Sequence, residues 1–329
     1  MTNVQTIASS PQFFRLLSLG LTNSPVPTAP GVYGALYMVA DGIPRHYRLN
    51  IPANYNAATS APLALILHGH DQTAVEFAGN HPDLATYANG SNVILVLPDS
   101  TRNERGTGWN DFDPIPGELF VNDGAFLIAL IDRLSASLNV DNKRTYVAGF
   151  SNGGQMSHYM VSRTTNVFSA IGAVGSAIAG EHGTPGALIT NPPPSGPISA
   201  MIVNATNDCK RPFLGGTNED GQLMPPVAAS VAHYTNANTC APPPTLLTNL
   251  VVSSNIFRFA ATCVTNKPPA SMAQTNLVIR EWYQTCYTNT EVILYALTDG
   301  GHNWPDADDH VGFDSNFRIL EFFLRHVLP

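Results

Sequence analysis

The run Val147-Ala148-Gly149-Phe150-Ser151-Asn152-Gly153-Gly154-Gln155-Met156 constrains this chain more than any other stretch. Thr145 to Ala148 is apolar and β-branched enough to form a strand, and Gly154 to Arg163 is compatible with a helix. Ser151 therefore sits where the chain must reverse direction within very few residues. So tight a turn puts strained backbone at its centre and leaves no room for side chains two positions away. Gly149 and Gly153 meet that demand. A helix starting just after the serine would aim the positive end of its dipole at any negative charge gathering beside the hydroxyl. Over these residues alone, a flexible glycine-rich turn with an ordinary serine reads the same way. The rest of the chain decides between the two.

The remaining pattern is that of alternating strands and helices. Val32 to Val39 and Arg45 to Ile51 alternate in polarity around Asp41-Gly42, the signature of a hairpin. Pro62 to Leu67, Val93 to Leu97, Ala170 to Val174, Ile198 to Val203 and Val292 to Leu297 are continuous apolar runs, as in strands buried on both faces. Asp123 to Leu138 places Phe126, Leu127, Leu130, Ile131, Leu134 and Leu138 on one helical face, with Asn122 or Asp123 as cap. A last helix begins near Asp314-Ser315 and presents Phe317, Leu320, Leu324 and Val327. This order predicts an α/β fold: a mostly parallel central sheet with helices on both faces. Residues 1–30 read as an irregular arm, and 31–329 as a single domain. Within it, the proline-rich stretch 209–290 reads as an insertion before the last strand, lying beside the sheet. It is either a side wall of the substrate site or a surface excursion.

Composition removes several function classes. The 329 residues carry a net charge of −8 with only 12% charged residues and no basic cluster, which argues against nucleic acid as a partner. No apolar run has the length of a membrane span. Phe13 to Leu19 is apolar but short, is interrupted by Arg15, and shows no charged leader or cleavage site, so a signal segment is not evident. Lysine occurs only at Lys143, Lys210 and Lys267, and the four cysteines show no zinc-type spacing. These features favour a secreted or periplasmic protein with disulfides, with Cys240–Cys286 and Cys209–Cys263 the favoured pairs among three possible connectivities. Four buried free thiols in a cytoplasmic protein are the alternative.

Serine needs a base to act as a nucleophile, and the base needs a carboxylate to hold its tautomer. His302, in Asp299-Gly300-Gly301-His302-Asn303-Trp304-Pro305, follows the last strand directly, and its two glycines let the loop bend back towards Ser151. Asp208 follows the strand Ile198 to Val203 after a short turn, at the end of the sheet where such folds bind ligands. Glu219, Asp220, Asp299 and Asp306 are the competing acids. Serine, acid, histidine is the chain order of the α/β-hydrolases, and strand, G-x-S-x-G and helix form their nucleophile elbow. Acyl transfer also needs oxyanion donors. The backbone N–H groups of Asn152, after the nucleophile, and His70, in the loop after the third strand, are the candidates. His68 reads as structural.

With these residues in hand, the chain resembles the polyhydroxybutyrate depolymerase and feruloyl esterase group of α/β-hydrolases. The resemblance rests on Leu67-His68-Gly69 with Gln72, Gly106-Thr107-Gly108-Trp109-Asn110-Asp111, Val121 to Leu134, Val140-Asp141 through Gly154, and Gly300-Gly301-His302-Asn303-Trp304-Pro305. It implies a Ser151/Asp208/His302 esterase that needs no metal or organic cofactor, acting on polyesters or on feruloyl or acetyl esters of polysaccharides. It also implies that Trp109 and Trp304 lie near the acyl cleft as substrate contacts. In the polyhydroxybutyrate branch, cysteines commonly stand at the positions of His70 and Gly108, and the acid segment reads His-Gly-Thr-x-Asp. Here that segment is Asn204-Ala205-Thr206-Asn207-Asp208.

The sequence therefore predicts a serine esterase working through an acyl-enzyme on a polymeric or small ester. One alternative is a polyamide hydrolase of the poly(aspartic acid) type, for which Arg102, Arg105 and Arg211 are the available cations. Another, from a different class, is a non-catalytic polymer-binding protein on a hydrolase fold.

Overall fold

The computed structural model describes residues 22–103, 106–112, 121–181, 187–242, 244–249, 278–306 and 313–329. The main-sheet strands are β1 (Gly31–Ala40), β2 (Ile43–Ile51), β3 (Ala61–Leu67), β4 (Ile94–Pro98), β5 (Val140–Phe150), β6 (Ala170–Val174), β7 (Ser199–Ala205), β8 (Thr245–Asn249), β9 (Val278–Tyr283) and β10 (Val292–Leu297). The helices are α1 (Ala74–Asn80), α2 (Asp83–Gly90), α3 (Asp123–Ser137), α4 (Asn152–Arg163), α5 (Val227–Ala237) and α6 (Ser315–Leu324).

The sheet runs β1-β2-β4-β3-β5-β6-β7-β10-β9-β8. Its middle, from β4 to β10, is parallel throughout. Antiparallel pairs close both sides: β1 with β2 on one, β9 with β8 on the other. In the parallel strands every second residue goes to the opposite face, and both faces are apolar. Leu63, Leu65, Val147, Ile171, Ile202 and Leu294 pack under α3, α4 and α5. Ile66, Ala148, Val174, Val203 and Ile293 pack under α1, α2 and α6. This is the α/β-hydrolase fold expected from the strand pattern.

Three features depart from the sequence reading. α1 and α2 fill the interval between β3 and β4, and α1 opens on a capping box in which Thr73 accepts from the Glu76 N–H and Glu76 accepts from Thr73. The described part of 209–290 does not simply lie beside the sheet: α5 covers it, and β8 and β9 extend it. α6 buries Ile319, Leu320, Phe322 and Phe323 rather than the face containing Phe317. Phe317 is exposed and meets the Tyr87 ring edge-on, because α6 lies across α2 at that point. The bridge Cys240–Cys286 ties the end of α5 to the segment leading into β10. Cys209 is disulfide-bonded as well, and Cys263 lies outside the described residues.

The edge of the sheet away from Ser151 is held by one buried carboxylate. Glu291 accepts from Arg325 (2.7 Å) and from His326 Nε2 (2.9 Å), and Trp282 Nε1 donates to its other oxygen. His326 Nδ1 meets Ser199 Oγ at 3.0 Å, and Tyr146 Oη donates to the His326 carbonyl. Burial works to raise the Glu291 carboxyl, but the hydrogen bonds from His326 and Arg325 outweigh it and hold it below the ordinary glutamate value. A lowered carboxylate adds stability above its unfolded pKa and loses it as pH falls through the folded one. Glu291→Gln should therefore cost about 2 kcal/mol at neutral pH. Its deficit against the parent in urea titrations should shrink as the medium is acidified through the carboxylate range.

Candidate active site

β5 ends at Phe150 and α4 begins at Asn152, so Ser151 makes the turn between them. Its backbone has φ 53° and ψ −117°, and its N–H donates to the Val174 carbonyl at 2.9 Å. Neither neighbouring glycine can be replaced without collision. A Cβ on Gly149 would stand 2.3 Å from the Gly153 carbonyl carbon and oxygen. One on Gly153 would stand 2.3 Å from the Leu67 carbonyl oxygen and 2.4 Å from that of His68. Strand β5, helix α4 and the end of β3 thus meet backbone to backbone, and the Ser151 side chain is what projects from the crossing.

His302 arrives on the loop after β10 and Asp208 on the loop after β7, both at the same edge of the sheet as Ser151. With its proton on Nδ1, the imidazole donates to Asp208 Oδ2 at 2.8 Å, and Nε2 accepts from Ser151 Oγ at 2.9 Å. The other Asp208 oxygen accepts the backbone N–H groups of Lys210 and Arg211, each at 2.8 Å, and the side chain is wholly shielded from solvent. Asn207 Oδ1 accepts the N–H of Gly301, whose φ of 62° suits glycine, so the acid and histidine loops are fastened together. The Phe150 ring packs 4.9 Å from the imidazole. Two competing acids, Glu219 and Asp220, hold Lys210, while Asp306 pairs with His81. His158 lies buried between Tyr234 and Ser176, where desolvation pushes it down to about 3.

On the opposite side of Ser151 lies the loop after β3. His68 is structural: Nδ1 donates to the Gly69 carbonyl at 2.7 Å and Nε2 accepts the Ser100 N–H at 3.1 Å, while burial lowers its pKa. The His70 ring is half exposed and pairs with Asp71 at 3.7 Å. It fills the space in front of Gly108, where a Cβ would stand 2.6 Å from Nδ1 and 3.2 Å from Asn152 Oδ1. His70 and Gly108 are thus side by side, with a large ring against a residue that has no side chain. Asn152 is the first residue of α4, where helix geometry provides no intrahelical acceptor for its N–H.

The family model for esterase PHB depolymerases matches residues 46–211, which run from within β2 through β7 and include the elbow and the acid loop. The chain belongs to this family. It is a carboxylic ester hydrolase. A protein named "Putative esterase NocK" from Nocardia uniformis subsp. tsuyamanensis is 26% identical over 85% of this chain and 76% of its own. "Probable feruloyl esterase C" of Aspergillus oryzae is 30% identical over 60% of this chain and 66% of its own, a little under two thirds. The solved acetyl xylan esterase of Aspergillus awamori superposes with a TM-score of 0.51 at 12% identity, covering 85% of this chain and 93% of its own, which is a likeness of fold.

Two expectations drawn from the esterase resemblance change. Trp109 and Trp304 are not cleft surfaces: they are 4% and 1% exposed. Trp109 Nε1 donates to the His68 carbonyl at 2.9 Å, and Trp304 Nε1 donates to Asn316 at 2.8 Å while its ring meets Phe77 edge-on. They brace the two loops from within, since a buried indole with its N–H satisfied is a packing element. The site also contains residues that the sequence reading did not single out. Gln155, one turn into α4, accepts from Arg211, and Asp111 accepts from Asn152. Burial lowers the Arg211 pKa, although the carboxylates of Asp208 and Asp111 counteract it. The motif Gly106–Asp111 held a signal for Asp111; no local pattern marks Gln155. Arg105, His182 and His310 lie outside the described residues. Among the described residues, no group of three His, Cys, Asp or Glu could hold a metal ion.

The backbone crossing yields a direct test. Gly153→Ala should cost about 3 kcal/mol, because the carbonyls of Leu67 and His68 belong to the rigid end of β3 and cannot retreat. Urea denaturation of the variant should show the drop, with esterase turnover falling alongside it.

Proposed function

We propose that this esterase cleaves ester bonds on a polymer, polyester or acylated polysaccharide, through a serine acyl-enzyme. The observation that carries the mechanism is the unbroken hydrogen-bond path from Ser151 through His302 to Asp208, begun at a strained elbow. In this reading Ser151 Oγ attacks the ester carbonyl while His302 Nε2 takes its proton. Asp208 stays ionised, steadied by two backbone N–H groups, and stabilises the imidazolium. The N–H groups of Asn152 and His70 receive the oxyanion at the positive end of α4. His302 then returns the proton to the departing alkoxide, and water repeats the sequence on the acyl-enzyme.

The printed names of the relatives, feruloyl esterase and acetyl xylan esterase among them, support an ester carried on a polysaccharide. The polyanionic amide reading loses its main support at Arg211, whose guanidinium is engaged by Gln155 and lies in the field of Asp208 and Asp111. The Cys240–Cys286 bridge supports an oxidising compartment, hence a secreted or periplasmic enzyme. No described helix is long and apolar enough to cross a membrane.

Hydrolysis of p-nitrophenyl acetate, butyrate and octanoate, beside feruloyl and acetyl xylan substrates, tests this. Ser151→Ala should lower kcat by about 10⁴-fold or more with the fold intact. Asp208→Asn should lower it by about 10⁴-fold through loss of the tautomer that presents Nε2 to the serine. Retention of turnover in Ser151→Ala would reject the mechanism.

A further inference from the structure

Asp111 takes no part in the path from Ser151 to Asp208, yet it is a buried carboxylate beside the nucleophile. A carboxylate held away from water is costly unless it accepts hydrogen bonds. Its side-chain partner is the Asn152 carboxamide, whose Nδ2 donates to Asp111 Oδ2 at 3.0 Å. The same carboxamide bridges Trp109: Oδ1 accepts the Trp109 N–H at 2.6 Å, and Nδ2 donates to the Trp109 carbonyl at 3.1 Å. Segment 109–111 is itself anchored. The Trp109 indole donates to His68, and the Asn110 N–H donates to Asp123 Oδ2 at 2.8 Å. Three hydrogen bonds therefore tie the side chain of Asn152 to a fixed loop.

That side chain matters because of its backbone. The Ser151–Asn152 peptide joins a strained serine to the first position of α4, and its N–H has no helical acceptor to orient it. We propose that Asp111 is a positioning residue that fixes the Asn152 carboxamide and thereby aims the Asn152 N–H at the oxyanion. The proposal rests on the reading of Ser151 as nucleophile. The Trp109 contacts use backbone atoms and would be open to many sequences; the contact at position 111 requires an acceptor side chain. Burial pushes the Asp111 carboxyl up to about 7, with Arg211 and Asn152 opposing and Asp123 adding to the rise. The carboxylate is the form that accepts from Asn152 Nδ2 with both oxygens free of protons.

The test compares Asp111→Ala, Asp111→Asn and Asn152→Ala on p-nitrophenyl butyrate, with phenylboronic acid as the tetrahedral mimic and thermal midpoints as the folding control. Asp111→Ala should lower kcat by about tenfold or more with little change in KM, because a misaimed oxyanion donor is felt only in the transition state. Its affinity for phenylboronic acid should weaken by a similar factor. Asp111→Asn keeps an acceptor oxygen and should restore kcat to within about threefold of the parent. Asn152→Ala, which loses all three hydrogen bonds, should fall at least as far as Asp111→Ala, and the double variant should fall no further than Asn152→Ala. If Asp111→Ala does not fold, the contrast between Asp111→Asn and Asn152→Ala carries the test. Unchanged kcat in Asp111→Ala or Asn152→Ala, or lowered kcat with unchanged boronate affinity, would overturn the proposal. So would an Asp111→Asn variant as impaired as Asp111→Ala. Ser151→Ala run in parallel separates the two failures: turnover retained there removes the nucleophile reading itself, whatever Asp111 does.

Discussion

Three pieces of main chain occupy nearly the same place in this protein. The end of β3, the end of β5 and the first turn of α4 approach until a single methyl group at Gly149 or Gly153 would overlap a carbonyl. Close packing there drives the serine between them into positive φ, because no other path takes the chain from strand to helix over so small a distance. The strain is sustained by what surrounds it. Leu65, Val147 and Ile171 lock the strands from one face, and Ala148, Val174 and Ile319 from the other. A hydroxyl presented on rigid backbone is therefore a by-product of core packing, and the geometry around Ser151 inherits the stiffness of the sheet.

The charges around that hydroxyl are arranged in two layers. Asp208 faces His302 and is held by main-chain donors, so its charge is spent on the imidazole. Arg211 projects from the same loop to Gln155, between the fields of Asp208 and Asp111. One buried cation thus lies in the field of two buried acids. The Glu291 cluster does comparable work at the far edge of the sheet, where Arg325 and His326 share one acid. Both clusters fasten loops or chain ends that the hydrophobic layers alone would leave free to slide.

How much of this could be read from the chain depends on the range of the forces involved. The elbow was legible because its sterics act between residues two apart, so Gly149, Ser151 and Gly153 carry the whole signal. Asp208 and His302 were legible as candidates because each follows an apolar run directly, and parallel strands deliver their ends to one edge. The burial of Trp109 and Trp304 was not legible, since whether an indole faces cleft or core is decided by α1, α6 and the β3 loop. The buried face of α6 was hidden for a similar reason: the pattern of Phe317, Leu320 and Leu324 is regular, but the sheet takes Ile319 and Phe323, and α2 meets the side that carries Phe317. The Thr73 and Glu76 pair is a local signal for α1, since capping chemistry acts between residues three apart. The Asn152–Asp111 and Arg211–Gln155 contacts join residues 41 and 56 positions apart, beyond the reach of any local pattern.

The strand order has a consequence for how the molecule comes into being. β7 pairs with β6 on one side and with β10 on the other, and β10 follows only after the whole 209–290 stretch. A nascent chain that has emerged only as far as β7 holds Ser151 and Asp208 but presents an open, apolar strand edge in the middle of its future sheet. Such an edge is the surface on which chains pair with one another instead of with themselves. That side of β7 has no partner until β10 is synthesised, and the strand that covers it leads straight into the loop carrying His302. The histidine that completes the hydrogen-bonded path from Ser151 to Asp208 thus lies on the loop that directly follows the strand protecting β7.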